Sequence, residues 1–257
     1  MCRLVALTLL AAVGAACASG ESSSDGGPAR VDAMPLPDSG ARLPDAGGGE
    51  PDPDGDPGNP AGPVINELVA YHQGSGCELL EVAGSASTSY DAYSLLVLDG
   101  DGGGDPGLVQ RIFPVGTTSA DGLWVTATLP ANTLQNGAAS YLLVEAFTGD
   151  VDDDLDAGDD GAFDVEPWTA LVDSVSVDDA TGVNVHYGEP VLLESFDGGD
   201  TPVGGASRIP DGTDTDAAAD WVRNDSAGDG LPGACDQGTA TAGEALNTPG
   251  EPNTVQL

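Results

Sequence analysis

From residue 64 onward, apolar residues fall into short runs separated by turn signals. The runs predict strands over residues 64–71, 78–83, 93–99, 108–115, 123–129, 140–147, 171–177, 183–187 and 191–195. In Leu171-Val172-Asp173-Ser174-Val175-Ser176-Val177, Val175 and Val177 share one face and the serines the other, the period of a half-buried strand. Ser94-Leu95-Leu96-Val97-Leu98 and Tyr141-Leu142-Leu143-Val144 are continuous instead. Such runs suit central strands covered on both sides, or strands whose outer face a loop caps. Asn136-Gly137 is a strong turn dipeptide and Asp99-Gly100 a weaker one. No window sustains helical spacing. The expected class is all-β, a sandwich or a barrel.

The chain ahead of the strands reads differently. Arg3 followed by the apolar stretch Leu4 to Val13 resembles a signal peptide, too short to span a bilayer as an anchor. Gly14-Ala15-Ala16-Cys17 resembles a bacterial lipobox, with Gly14 where Leu is usual. This implies a signal segment over 1–17, a lipid on Cys17 and a place in the cell envelope, as an outer-membrane or cell-surface lipoprotein. Cleavage after Ala18 is the competing reading and makes the protein simply secreted. Residues 18–62 are Gly, Ser, Pro, Asp and Ala with a loose Pro-Asp repeat, as in Pro37-Asp38 and Pro44-Asp45. Such a segment cannot bury enough surface to offset its ordering entropy, so a disordered stalk is expected. Its reach is about 40 Å as a coil and about 140 Å if polyproline-like. Residues 63–257 are the expected folded body.

Charge narrows the partners. The 257 residues include 43 acids, six arginines and no lysine, for a formal net charge of -37. Nucleic acid is excluded as a direct partner, because phosphate binding needs a basic stripe. Divalent cations, basic proteins and neutral glycans remain open. With so few cations, salt bridges can hold little of the fold together. Cys77 and Cys235 are the cysteines of the body, and an exported chain meets an oxidising compartment. A disulfide between them is expected, closing a loop of about 158 residues and contributing about 4–5 kcal/mol in the chain-entropy model. Two independent thiols are the alternative.

The acid is concentrated in Asp150 to Asp164, with eight aspartates in 15 residues. Ca²⁺ takes 6–8 oxygens, several from carboxylates. Asp152, Asp154 and Asp156 have the spacing that opens an EF-hand loop, but Ala157 stands where that loop needs glycine and Phe163 where it needs glutamate. The segment looks more like the Asp-rich calcium loops of extracellular bacterial repeats. Candidate ligands for a Ca²⁺ cofactor are Asp152, Asp154, Asp156, Asp159 and Asp160. The alternative is a solvated acidic hairpin tip. Crowded carboxylates repel one another unless a cation neutralises some of them, which favours the metal. The smaller groups Asp99, Asp101, Asp105 and Asp211, Asp214, Asp216 read first as turns.

An ordered set of motifs resembles the lamin tail domain family. Val64-Ile65-Asn66-Glu67-Leu68 resembles its first strand and Glu78-Leu79-Leu80-Glu81-Val82 its second. Leu129-Pro130, Gly137 and Tyr141-Leu142-Leu143-Val144 resemble its central region, and Leu171-Val172-Asp173-Ser174-Val175 the strand before its close. Ala206-Ser207-Arg208-Ile209-Pro210-Asp211-Gly212, then Asp220-Trp221, then Thr248-Pro249-Gly250-Glu251-Pro252-Asn253 resemble its closing signature. The set spans about 64–253. The resemblance implies an immunoglobulin-like antiparallel β-sandwich, in which Arg208 is structural. The body is longer than a lamin tail and carries the acidic insertion.

No G-x-S-x-G, H-E-x-x-H, P-loop or dinucleotide fingerprint occurs, so no enzyme is expected. His72 and His186 read as packed or surface residues. Arg111, Arg208 and Arg223 read as partners of nearby carboxylates, and Trp124, Trp168 and Trp221 as core or edge packing. The function expected is a non-catalytic cell-surface lipoprotein whose Ca²⁺-binding domain serves adhesion, scaffolding or envelope interaction. It would be anchored to the membrane by its lipid, with a protein or glycan partner. The alternatives are an accessory targeting domain related to those of secreted nucleases and hydrolases, or a metal-dependent hydrolase.

Overall fold

The computed structural model describes residues 62–71, 76–135, 137–199, 201–224 and 227–257. The signal segment, Cys17, the stalk through residue 61, His72 and Asn136 lie outside the described residues. What is described is all-β. One sheet has the order β10-β9-β1-β2-β5, formed by Trp221–Arg223, Gly205–Arg208, Val64–Val69, Leu79–Ala83 and Leu123–Val125. The other has the order β4-β3-β6-β7-β8, formed by Val109–Pro114, Tyr93–Asp99, Ala139–Glu145, Ala170–Val177 and Val191–Leu192. Neighbours are antiparallel except β7 and β8, which run parallel.

The sheets share one apolar core, as in a β-sandwich. Ile65, Leu68, Leu80, Val82, Ala206 and Trp221 of the first sheet pack with Leu95, Val97, Tyr141, Leu143, Val175 and Val177 of the second. Strand alternation sends Leu96, Leu98, Leu142 and Val144 to the opposite face of the second sheet. There they form a second cluster with Val109, Leu155 and Tyr187, backed by Phe163, Trp168 and Val185. The continuous apolar runs are therefore strands covered on both sides, and the outer cover is the acidic segment itself.

A bulge sets the chemistry of the first sheet. Ile65 pairs with Val82 but Glu67 pairs with Glu81, so the register slips by one residue at Asn66. Ile65 and Leu68, three apart, both reach the core, and Glu67 turns to the outer face. Beside it on that face, Val69, Cys77, Leu79 and Leu231 form a third cluster. Cys77 and Cys235 are bonded there, with an S–S distance of 1.98 Å and Cα atoms 5.7 Å apart. The bond fastens the C-terminal segment to the sheet.

Three expected strands are altered. Residues 183–187 form no strand; Asn184 makes a single bridge to Asp101, and Val185 N–H donates to Gly100 O at 2.9 Å. The segment lies over the second sheet instead, with Val185 and Tyr187 packed into its outer cluster. Tyr187 N–H donates to Ser140 Oγ at 2.9 Å, which holds it there. The expected strand at 191–195 stops at Leu192, because the chain turns where Phe196 N–H donates to Leu193 O. The strand at 123–129 ends at Val125; Thr126 N–H still donates to Leu80 O at 3.0 Å, and Leu129 makes one bridge to Glu78. Conversely, β9 and β10 were not among the expected strands, since neither Gly-Ala-Ser-Arg nor Trp-Val-Arg is an apolar run.

The disulfide closes a loop across 158 residues. Replacing both cysteines by alanine is expected to lower unfolding free energy by about 4 kcal/mol, read by urea denaturation. A loss under about 1 kcal/mol would show that packing alone holds the C-terminal segment.

Candidate functional site

The acidic segment folds as a flap against the edge of β4 and the outer face of the second sheet. Asp152 N–H donates to Val109 O at 2.9 Å, Val109 N–H to Asp153 O at 2.8 Å, and Leu155 N–H to Gly107 O at 3.2 Å. Leu155 is the apolar anchor. Gly107 sits where the flap comes closest. Its φ is +91°, and a Cβ there would lie 2.8 Å from the Asp156 Cβ and 3.1 Å from the Tyr187 hydroxyl. Phe163 bridges the aromatic wall below, 5.2 Å from both Trp168 and Tyr187.

At the root of the flap Asp156 is fully buried. Its carboxylate accepts from Tyr187 Oη at 2.7 Å, Gly161 N–H at 2.8 Å and Asp160 N–H at 3.2 Å. Burial works against its ionised form, but these donors outweigh it and hold Asp156 below the usual carboxylate range. Asp159 is raised, by desolvation first and then by the charges of Asp105, Asp154 and Asp156. Asp154, Asp156 and Asp159 thus crowd around one place, and Asp105 joins them from outside the loop.

The five expected ligands divide in use. Asp154 accepts from Asp156 N–H at 3.0 Å, and Asp160 from Ala162 N–H at 3.1 Å, so both also cap turns of their own loop. Asp152 lies at φ +71° beside Val109, and Asp159 at φ +51°. Among the described residues no three acidic, histidine or cysteine side chains converge into a formed metal cage.

A second polar centre, which the strand pattern did not single out, joins the two sheets at one end. Arg208 is fully buried and Asp173 nearly so. Arg208 Nη2 donates to both Asp173 oxygens at 2.9 and 3.1 Å, Nη1 to Thr213 O and Asp214 Oδ1 at 2.6 Å, and Nε to Ile65 O at 2.8 Å. Its guanidinium lies 4.7 Å from the Trp221 ring centroid. Asp173 also accepts from Ile65 N–H at 2.6 Å. Burial raises the Asp173 pKa, and Arg208 pulls it back down.

The remaining arginines differ. Arg223 pairs with Asp197 at 3.1 Å, as its charge suggests. Arg111 departs from expectation: it donates to its neighbour Gln110 O at 2.6 Å, and among the described residues it makes no ion pair. The strand edge it occupies lines an open polar cleft together with Asn132, Gln135 and Asp152. His186 lies outside any strand, its Nε2 3.1 Å from Asp178 Oδ2. Trp221 is core, and Trp124 and Trp168 are half-buried packing residues.

Sequence pattern alone also passed over Glu67, Glu81 and the four asparagines Asn66, Asn224, Asn247 and Asn253, all buried. The signal was available: a glutamate inside an apolar strand run, twice, needs a buried partner. These observations define a disulfide-bonded, two-sheet β domain whose outer faces are both covered by acidic segments. No family model, curated protein or solved structure matches the chain.

Arg208→Met would leave Asp173 buried without its cation. The expected cost is about 3–5 kcal/mol in chemical denaturation, against about 1 kcal/mol or less for Arg111→Met on the open edge. Similar costs for the two would refute the central role given to Arg208.

Proposed function

We propose that this protein is a non-catalytic, exported surface lipoprotein whose immunoglobulin-like domain of the lamin-tail type binds Ca²⁺ at its acidic flap. Its work is adhesion, scaffolding or envelope interaction. The observation that carries the ligand is the crowding at the root of the flap. Asp156 is held below the usual carboxylate range among Asp105, Asp154 and Asp159, and desolvation, then the charges of Asp105, Asp154 and Asp156, raise Asp159. A divalent cation removes that repulsion and accepts carboxylate oxygens directly. Because several of these oxygens also cap turns, binding requires Asp154, Asp159 and Asp160 to turn toward the ion. Asp156 stays fixed by Tyr187, and Asp152 closes the site from the β4 side. Ion binding therefore tightens the flap over Leu155 and the aromatic wall.

Export is supported by the Cys77–Cys235 bond, which belongs to an oxidising compartment. The lamin-tail reading is supported by the closing signature: Arg208 and Asp220 meet around the turn at Thr213–Thr215, and Asn253 donates to Arg208 O at 3.1 Å. The absence of enzymatic activity is inferred from the structural use of the buried polar groups. Lipid on Cys17, with the stalk as spacer, would set the domain off the membrane.

Ca²⁺ at a hundredfold excess over its dissociation constant is expected to stabilise the protein by about 2.7 kcal/mol, a rise of roughly 5–10 °C in melting temperature. Chelator should reverse it, and Asp154→Asn with Asp159→Asn should abolish it. No calorimetric heat and no thermal shift at millimolar Ca²⁺ would end the calcium assignment. Separately, Cys17→Ser is expected to move the protein from the envelope fraction to the medium on immunoblots of fractionated cells. Unchanged fractionation would argue against the lipid.

A further inference from the structure

Away from the flap, the outer face of the first sheet holds a pair of acids in an unusual place. Glu67 and Glu81 are direct partners across β1 and β2, and both are fully buried. Like charges directly opposite on a sheet are destabilising even in water, and burial makes double ionisation costlier still. The C-terminal segment lies over them. Thr248 N–H donates to Glu67 Oε1 at 3.3 Å and Gly250 N–H to Glu81 Oε2 at 2.6 Å. Asn224 Nδ2 donates to Glu67 and Asn66 Nδ2 to Glu81, each at 2.9 Å. Gly250 turns at φ +79° to bring its N–H down.

Among the described residues the charges around this pair are all of one sign. From the β9–β10 connection Asp211 faces Glu81 and takes Asn66 Nδ2 and Asn253 N–H, at 2.9 and 3.1 Å. β9 presents Ser207 opposite Glu67, so Arg208 points to the other face, where its donors are already spent. β10 places Val222 opposite Ser207, and Arg223 is likewise turned away, onto Asp197. The covering segment brings Asp229, Asp236, Glu244 and Glu251, and no cation follows Arg223 in the chain. Among the described residues no side-chain cation faces the pair, which leaves protons to neutralise it.

We propose that Glu67 and Glu81 form a proton-operated latch: the pair holds protons while residues 245–255 lie over it, and its full ionisation releases that segment. Burial, then the charge of Glu81, pushes Glu67 up to about 8; burial pushes Glu81 up to about 7. Both exceed the ordinary value of 4.5. The closed form therefore binds protons that the open form gives up. Its stabilisation is complete below about pH 4.5, declines as pH rises, and is gone once pH passes about 8. The disulfide at Cys235 pins the segment upstream, so opening is local and reclosure needs no search.

The test is amide hydrogen exchange on the full chain between pH 6 and 9, each rate normalised to that of an unstructured peptide at the same pH. Protection at Thr248 and Gly250 is expected to fall about 1000-fold over that range, about 100-fold from Glu67 and about tenfold from Glu81, while Leu143 in β6 changes less than about threefold. In Glu67→Gln/Glu81→Gln the fall at Thr248 and Gly250 should vanish. Should that variant fail to fold, the infrared spectrum of the unaltered protein decides. At pH 6 it should carry the carbonyl stretch of a protonated carboxyl, lost at pH 9 and weakened at pH 6 in Glu67→Gln alone, which leaves Asp173 unaltered. Constant protection from pH 6 to 9, an equal fall at Leu143, or no protonated carboxyl at pH 6 would each overturn the latch.

Discussion

A carboxylate taken out of water must meet a proton, a cation or a set of N–H donors, and here six arginines face 43 acids. The fold is shaped by that shortage. Its one fully buried guanidinium, Arg208, is placed where it ties Asp173 of the second sheet to Ile65 of the first. Arg208 also lies 3.8 Å from the buried Asp220, and the remaining buried acids are served differently. Asp156 is held by a tyrosine and backbone amides, and Glu78 by the amides of Asn132 and Leu134 at 2.5 and 2.6 Å. Glu67 and Glu81 share asparagines, two turn amides and, in the latch proposed above, protons. Substituting N–H donors for cations demands rigid turns, which explains why so many loops end in aspartate-capped bends.

The two acidic coverings are structurally equivalent answers to a sandwich with apolar outer faces. The flap carries Leu155 and Phe163 onto the second sheet, and the C-terminal segment carries Leu231 and the disulfide onto the first. Each cover is apolar where it touches the sheet and acidic where it meets solvent. Each also has an ionisable group at its root. The flap is fastened by an aspartate held below the usual carboxylate range and the C-terminal segment by glutamates raised above it, so the two respond oppositely to pH. The proposed cation would add to the first without competing for the second, which keeps the calcium proposal and the latch experimentally separate.

Much of this architecture was legible along the chain. Turn-punctuated apolar runs require strands, because short runs cannot bury a helical face, and the unbroken runs at 94–98 and 141–144 announced that something covers both sides of β3 and β6. The pairing of Cys77 with Cys235 followed from there being two cysteines in the body. The density of aspartate marked the flap. Closure of β9 and β10 onto β1 was not legible, since neither strand has an apolar pattern of its own.

Tertiary structure alone decided the rest. The bulge at Asn66 is invisible in composition, yet it turns Glu67 outward and sets it against Glu81. Whether an aspartate in a run of eight caps a turn, lies buried or faces solvent depends on which backbone N–H folds back to meet it, and that is a property of the closed loop. Residues 183–187 alternate like a strand but serve as cover, because the second sheet offers them a greasy face and its ladder is already paired. Sequence periodicity fixes which side chains share a face; only the assembled sheets determine what that face meets.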